Sequence, residues 1–281
     1  MAITLAENSY GSSRIQLLRV SRQQGRDDIR EIALSIRFEG DFEAAHIRGE
    51  NRKILPPDTM KNTVYALARQ HSIEPPEDFG LHLIEHFLTY NPQVTRVVIE
   101  GSEDIWARVP HGGKPHTSAF ARSGVEKRTS VLKGTREGIQ VRAGIQNLIV
   151  LKTSNFSFAD FKKDPYTTLQ EEADLVLSTA IHADWLYAGE EAEFGPLWHA
   201  VRQMLLETFV EHKSQSLQHS VYAMGEAIIS NFENVSEIHI SLPSSHFLLA
   251  DLAPLGMDNP GTVFLPAEEP RTVVEATLRK R

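Results

Sequence analysis

Histidine, carboxylate and hydroxyl side chains cluster at several places where they could move a proton or hold a metal. Residues 40–46 (GDFEAAH) gather Asp41, Glu43 and His46 behind an apolar run. Nothing in that spacing fixes a shared proton, so a solvated turn is the simpler reading. His82 and His86 sit one helical turn apart, as zinc ligands can. The glutamate placement of an HExxH site is missing, however, and Leu83, Ile84 and Phe87 between them describe an ordinary amphipathic helix. His111-Gly-Gly and Lys114-Pro-His116 read as a mobile surface loop. Ser244-Ser245-His246 sets hydroxyls beside a histidine with no GxSxG elbow, and adjacency in sequence is not the geometry of a triad. Residues 134–138 (GTREG) lack the lysine and the spacing of a phosphate cradle. With no cysteine, disulfides, thiolate catalysis and Cys-ligated metals are excluded. No metal site is expected.

These residues need a scaffold, and the apolar pattern outlines one. Residues 10–20 and 31–38 alternate as strands around the polar, turn-prone stretch 23–28, the pattern of a hairpin. A helix opens near Asp58 or Thr59 after Pro56-Pro57, and a second is predicted over 77–90 after Pro75-Pro76. Residues 94–100 and 105–109 read as two further strands. The order then recurs. Strand-like 138–143 and 146–152 precede a helix near 166–175, a strand around 183–187, and a long amphipathic helix through Phe194, Leu197, Trp198, Val201, Leu205 and Phe209. Tyr222, Ala223 and Ile228 continue that face, and 235–242 and 246–252 close the half as strands. Two strand-strand-helix-helix-strand-strand units in tandem, 1–136 and 137–281, is the economical reading, an α+β fold of antiparallel sheets with helices on one face. Such units expose sheet edges that must be covered or paired, so assembly with further copies is expected.

With 281 residues and 41% apolar content the chain can bury a substantial core. A net charge of −8 argues against a general phosphate-binding surface, so no nucleic-acid partner is expected. The first residues lack a basic region followed by an apolar run, and no stretch approaches the roughly 20 apolar residues of a membrane span. The C-terminal Leu278-Arg279-Lys280-Arg281 is not a Ser-Lys-Leu address. A cytoplasmic protein without membrane partners is expected.

Several segments left unexplained by this patterning resemble the urate oxidase (uricase) family, in the family's order. They are Tyr10-Gly11, 40–46, 58–68 with KNTVYALA, 164–171 (DPYTTLQE), Leu177-Ser178-Thr179, Gln218, and 241–246 leading to Asp251-Leu252. The resemblance implies tandem tunnelling-fold domains, a homotetramer with active sites between subunits, and oxidation of a purine by dioxygen with release of hydrogen peroxide. It implies no metal and no organic cofactor. Cofactor-free use of dioxygen demands that the protein deprotonate its substrate and hold an electron-rich anion.

By the same resemblance Phe158 is the stacking aromatic, Gln218 pairs with the purine's amide edge, Leu217 offers a backbone amide, and His246 stands near the oxygen site. Other positions differ from the family's pattern. Ser12 and Pro57 replace the Lys/Thr base dyad, Leu175 replaces an arginine, and Ser244 replaces an asparagine. Base duty is then expected of Asp58, Lys61 or His246, with Ser244 helping to hold dioxygen or water. Loss of the arginine removes a charge-assisted contact to the urate 2-carbonyl of about 1.5–3 kcal/mol. A 2-amino-8-oxopurine such as 8-oxoguanine presents a donor there instead, so an apolar Leu175 favours it, with Glu171, Glu172 or Asp174 as acceptors of the amine. 8-Oxoguanine is therefore the expected substrate. Urate, converted to 5-hydroxyisourate, is the alternative, and a non-catalytic purine-binding or assembly protein is the third.

Overall fold

The computed structural model describes residues 3–171, 175–189 and 192–281, apart from the side chains of 246 and 268–271. The chain divides into two compact units, 1–144 with 186–198, and 145–185 with 199–281.

The first half runs β1 (Tyr10–Gln23), β2 (Arg26–Gly40), a short α1 (Glu43–Arg48), α2 (Pro57–Gln70), α3 (Pro76–Tyr90), β3 (Val94–His111) and β4 (Lys114–Gly134). The second runs β5 (Ile139–Lys152), β6 (Leu177–Tyr187), α4 (Phe194–Glu211), α5 (Leu217–Asn231), β7 (Val235–Leu249) and β8 (Phe264–Arg279). Strands neighbour one another in chain order, β1-β2-β3-β4 and β5-β6-β7-β8. The repeated unit expected from the apolar pattern is thus present twice.

Period-two burial builds the strands. In β2, Ile32, Leu34, Ile36 and Phe38 are all buried while the residues between them are not. In β7, Ile238, Ile240 and Leu242 play the same part. The helices lay a matching stripe on these faces: Phe79, Leu83, Ile84 and Phe87 from α3, and Val221, Met224 and Ile228 from α5. Each stripe contains a glycine on which a strand leucine rests. A Cβ at Gly80 would lie 2.8 Å from the Leu132 methyls of β4, and one at Gly225 would lie 2.6 Å from a Leu278 methyl of β8. The same contact at equivalent places in α3/β4 and α5/β8 marks the duplication in packing as well as in element order.

Several expectations are corrected. The strands expected at 94–100 and 105–109 are one strand, and its partner β4 was read in part as a loop. Ser102, Glu103 and Asp104, left between the two expected strands, pair across the sheet with Thr129, Arg128 and Lys127, where the two carboxylates face opposite charges. Residues 111–116 form the tight tip of this hairpin, with Gly112 at φ 59° and Gly113 at φ 77°, rather than a mobile loop. Strands expected at 138–143 and 146–152 are likewise one, β5, as are 235–242 and the start of 246–252, β7, with β8 as an unforeseen partner. No helix forms over 166–171. Asp164 Oδ1 accepts from the Tyr166 N–H at 2.9 Å and from the Thr167 hydroxyl at 3.0 Å, a local turn that competes with helix. Tyr166 is 90% exposed, so this stretch has no apolar face there to hold a helix in place.

Candidate functional site

In the first half, β1 and the loop before α2 meet through Tyr10. Its hydroxyl accepts from the Leu55 N–H at 2.8 Å, and its ring packs edge-on against Phe42 and Phe38, with centroids 4.7 and 5.8 Å away. Burial pushes the phenol pKa up, which keeps it neutral. Gly11 follows because the backbones approach closely: a Cβ there would lie 1.9 Å from the Ile36 carbonyl oxygen. Ser12 is the next residue after Gly11, and Pro57 lies two residues beyond Leu55. Pro57 opens α2, where a missing N–H costs nothing.

Asp58 and Lys61 share the first turn of α2. Lys61 Nζ lies 2.5 Å from Asp58 Oδ1, and Asn62 Nδ2 donates to Asp58 Oδ2 at 3.1 Å. The ammonium holds the carboxyl below its ordinary range, and the carboxylate holds the ammonium above its own. Each therefore keeps the other charged. As they stand, neither is tuned towards the near-neutral pKa of an efficient general base.

The expected substrate-binding residues of the second half are tied together by main-chain bonds. Phe156 O accepts from the Leu175 N–H at 2.8 Å, the Ser157 N–H donates to Ser214 O at 3.0 Å, and the Ser214 N–H donates to Asn155 O at 3.1 Å. Phe158 therefore leaves a short bridge anchored on one side to Leu175 and on the other to the turn that starts α5. The half-buried Phe158 ring stacks on Phe161 at 5.0 Å with planes 10° apart, and Lys163 lies 5.5 Å over the Phe161 ring. Lys163 also pairs with Glu171 at 2.7 Å, closing the loop behind the rings.

Ser216 caps α5 by accepting from the His219 N–H at 3.1 Å. Leu217 and Gln218 are the first residues of that helix, where backbone N–H groups have no carbonyl within the helix to meet. Leu217 buries its side chain, while Gln218 is exposed and offers both halves of its amide. An aromatic plate, first-turn amides and a bidentate amide are thus held by one backbone network.

The Leu177-Ser178-Thr179 segment links this network to β7, since the buried Thr179 hydroxyl donates to Pro243 O at 3.1 Å. Ser244 follows, 1% exposed, with its hydroxyl 3.3 Å from Leu242 O. The backbone of His246 pairs with Ala267 in β8, but its side chain lies outside the described atoms, as do Glu172 and Asp174 altogether. Glu171 faces Lys163 rather than standing as a lone acceptor.

Other clusters resolve structurally. Asp41 pairs with Lys53, His46 Nδ1 lies 3.0 Å from Phe42 O, and the His82 ring stacks on His71. Among the described residues no group of His, Cys, Asp or Glu could hold a metal. Of the polar residues that tie the site, Tyr10 and Thr179 lie in segments that carry the family resemblance, whereas Ser214 is not singled out by the sequence. The trace that Ser214 leaves is the serine spacing around the start of α5.

The uricase family model matches residues 8–133 and 141–275. The uricase of Arthrobacter globiformis is 38% identical over 278 residues, covering 99% of this chain and 90% of that protein. The uricase of Aspergillus flavus is 30% identical over 287 residues, covering 96% of this chain and 94% of the relative. The crystal structure of the Arthrobacter globiformis uricase superposes with a TM-score of 0.94 at 38% identity, over 100% of this chain and 96% of that one. A Bacillus sp. TB-90 urate oxidase structure shares the fold at 19% identity, with a TM-score of 0.86. With its repeated α+β units, its anchored aromatic and amide, and these matches along nearly its full length, the chain belongs to the uricase family.

Proposed function

We propose that this protein is an oxidoreductase that uses dioxygen to oxidise urate. Urate, dioxygen and water give 5-hydroxyisourate and hydrogen peroxide: the purine loses two electrons, dioxygen gains them, and water supplies the hydroxyl. The observation that carries this reading is the retention of Phe158, Leu217 and Gln218 on one hydrogen-bonded backbone network in a chain alike, end to end, to proteins named uricase. Phe158 stacks on the purine, Gln218 pairs with its amide edge, and the first-turn amides of α5 favour the anionic form. An electron-rich anion held in this way is what dioxygen requires. The likeness to proteins named uricase supports urate over the 8-oxoguanine argued from Leu175 alone.

One observation keeps the 2-amino-8-oxopurine as a second reading. Leu175 contributes no side-chain donor, and its place in the network is set by its backbone N–H. We further propose a homotetramer with its sites completed between subunits, which light scattering would check. Aerobic incubation with urate and, separately, with 8-oxoguanine, following substrate absorbance and peroxide, tests the substrate. Equimolar peroxide from urate is expected. Peroxide from 8-oxoguanine alone would transfer the assignment to the amino-purine, and silence with both would leave a binding protein.

A further inference from the structure

Between the end of α4 at Glu211 and the start of α5 at Leu217 lies a chain of side-chain contacts that the binding scheme above leaves unused. His212 Nδ1 is 2.8 Å from Ser214 Oγ, and Ser220 Oγ is 2.7 Å from that same oxygen. Both serines are buried, at 6% and 4% exposure; Ser220 Oγ also lies 3.3 Å from Ser216 O, whereas the Ser214 hydroxyl depends on Ser220 and the imidazole for its partners. Ser214 is also the residue whose main chain bonds to Asn155 and Ser157, and so fixes the departure of Phe158. Its neighbour Ser216 caps the helix that begins with Leu217 and Gln218. The His212 ring therefore grips, through one hydroxyl, the junction between the stacking plate and the pairing amide.

That ring sits among cationic or ionisable groups. His219 of α5 meets it edge-on with centroids 4.3 Å apart. Lys152 of β5 donates to the carbonyls of His212 at 2.6 Å and Phe209 at 3.1 Å. Lys213 and Glu211, both exposed, flank it in sequence. A neutral imidazole fits this setting, its bare Nδ1 accepting from the Ser214 hydroxyl while Ser220 donates to the same oxygen. An imidazolium would add a positive charge beside Lys152 and His219, close to the positive end of α5. Burial, then His219 and Lys152, hold the His212 pKa below the ordinary histidine range.

We propose that His212 is a positioning residue for the purine-binding segment: in its neutral form it pins Ser214, and protonating it releases Phe158 and Gln218 from their binding geometry. The role rests on the urate reading for its substrate, but the pin itself is a property of the unliganded chain. Substrate affinity should then fail on the acid side while the chemistry of bound substrate changes little.

The test compares wild type, His212→Asn and His212→Phe. Asparagine keeps a polar partner for Ser214 that does not titrate, and phenylalanine removes the partner while keeping a ring. KM and kcat for urate are measured from pH 8 to 5.5. Hydrogen exchange of peptides covering 155–158 and 214–220 is followed in the free protein, corrected for intrinsic rates. In wild type KM should rise by up to about tenfold per pH unit below the ring's pKa, with kcat changing about twofold or less. His212→Asn should hold KM flat, and His212→Phe should exchange fast at every pH. A KM profile shared by wild type and His212→Asn would overturn the pin, as would exchange that is alike in all three. If no purine is oxidised, acid-accelerated exchange in wild type but not in His212→Asn still supports the pin and counts against the urate assignment. If His212→Phe does not fold, wild type against His212→Asn decides.

Discussion

The two halves share an element order and a helix glycine packed on a strand leucine, yet they bury polarity in different ways. The first buries a carboxyl–guanidinium pair: Glu77 at 0% exposure meets Arg128 at 2.5 and 3.4 Å. Arg128 is held further by the Phe194 carbonyl at 3.3 Å and by the Trp198 ring 5.1 Å away. The second buries uncharged hydroxyls, Ser214, Ser220 and Thr179, and spends them on joining loops that carry binding residues. The contrast separates structural polarity from site-building polarity. It also suggests why Leu175 can stand where the family resemblance implies an arginine: the bond that places it is made by its backbone, whatever its side chain.

The largest expected effect breaks the first half's pair. Glu77→Ala leaves Arg128 charged and buried, and should cost about 3–5 kcal/mol in urea unfolding, with partial recovery on adding Arg128→Met. The halves should also respond to pH with opposite sign. Burial pushes Glu77 up to about 7, and Arg128 limits the rise. A carboxyl whose folded pKa is raised contributes its stability fully below its ordinary value and loses it as pH rises towards about 7. His212, depressed in the fold, contributes above its ordinary value and loses that contribution as pH falls through its folded pKa. Unfolding midpoints from pH 4.5 to 8 should therefore lose their upper-range decline in Glu77→Gln and their acid-side decline in His212→Asn.

Next in size, Phe158→Ala removes the stacking plate and should weaken urate binding by about 1–3 kcal/mol, read as KM, without a comparable change in the unfolding midpoint. Leu175→Arg should then sharpen substrate choice, shifting the ratio of kcat/KM values towards urate and away from 8-oxoguanine by about 1.5–3 kcal/mol. The smallest effects test the duplication. Gly80→Ala and Gly225→Ala each crowd a leucine while gaining about 1 kcal/mol of helix propensity, so both should change stability by about 1 kcal/mol or less, and by similar amounts.

The doubled unit was legible because its cores are period-two strands and amphipathic helices, patterns that side-chain types carry openly. β4 and β8 were not, because charged residues interrupt their apolar pattern and only their partners reveal them as strands: Lys127 and Arg128 make sense opposite Asp104 and Glu103. The turn at Asp164 was hidden for a related reason, an apparently helical stretch being overruled by one carboxylate's local bonds. Phe158, Leu175 and Gln218 were identifiable by resemblance, but nothing in their types foretold a shared scaffold, since its bonds run between main-chain atoms. Asp58 and Lys61 were equally visible as charges, and only their 2.5 Å contact shows that they pair with each other.

The central claim is that the network around Phe156 and Ser214 presents Gln218 to urate. Its most direct test is the steady-state oxidation of urate by wild type and Gln218→Leu, with peroxide measured alongside. Wild type should yield equimolar peroxide, and the variant should lose about a hundredfold or more in kcat/KM, because the amide edge of a bound purine is left unpaired, with an unchanged unfolding midpoint. Urate left intact by wild type, or oxidised equally well by Gln218→Leu, would contradict it.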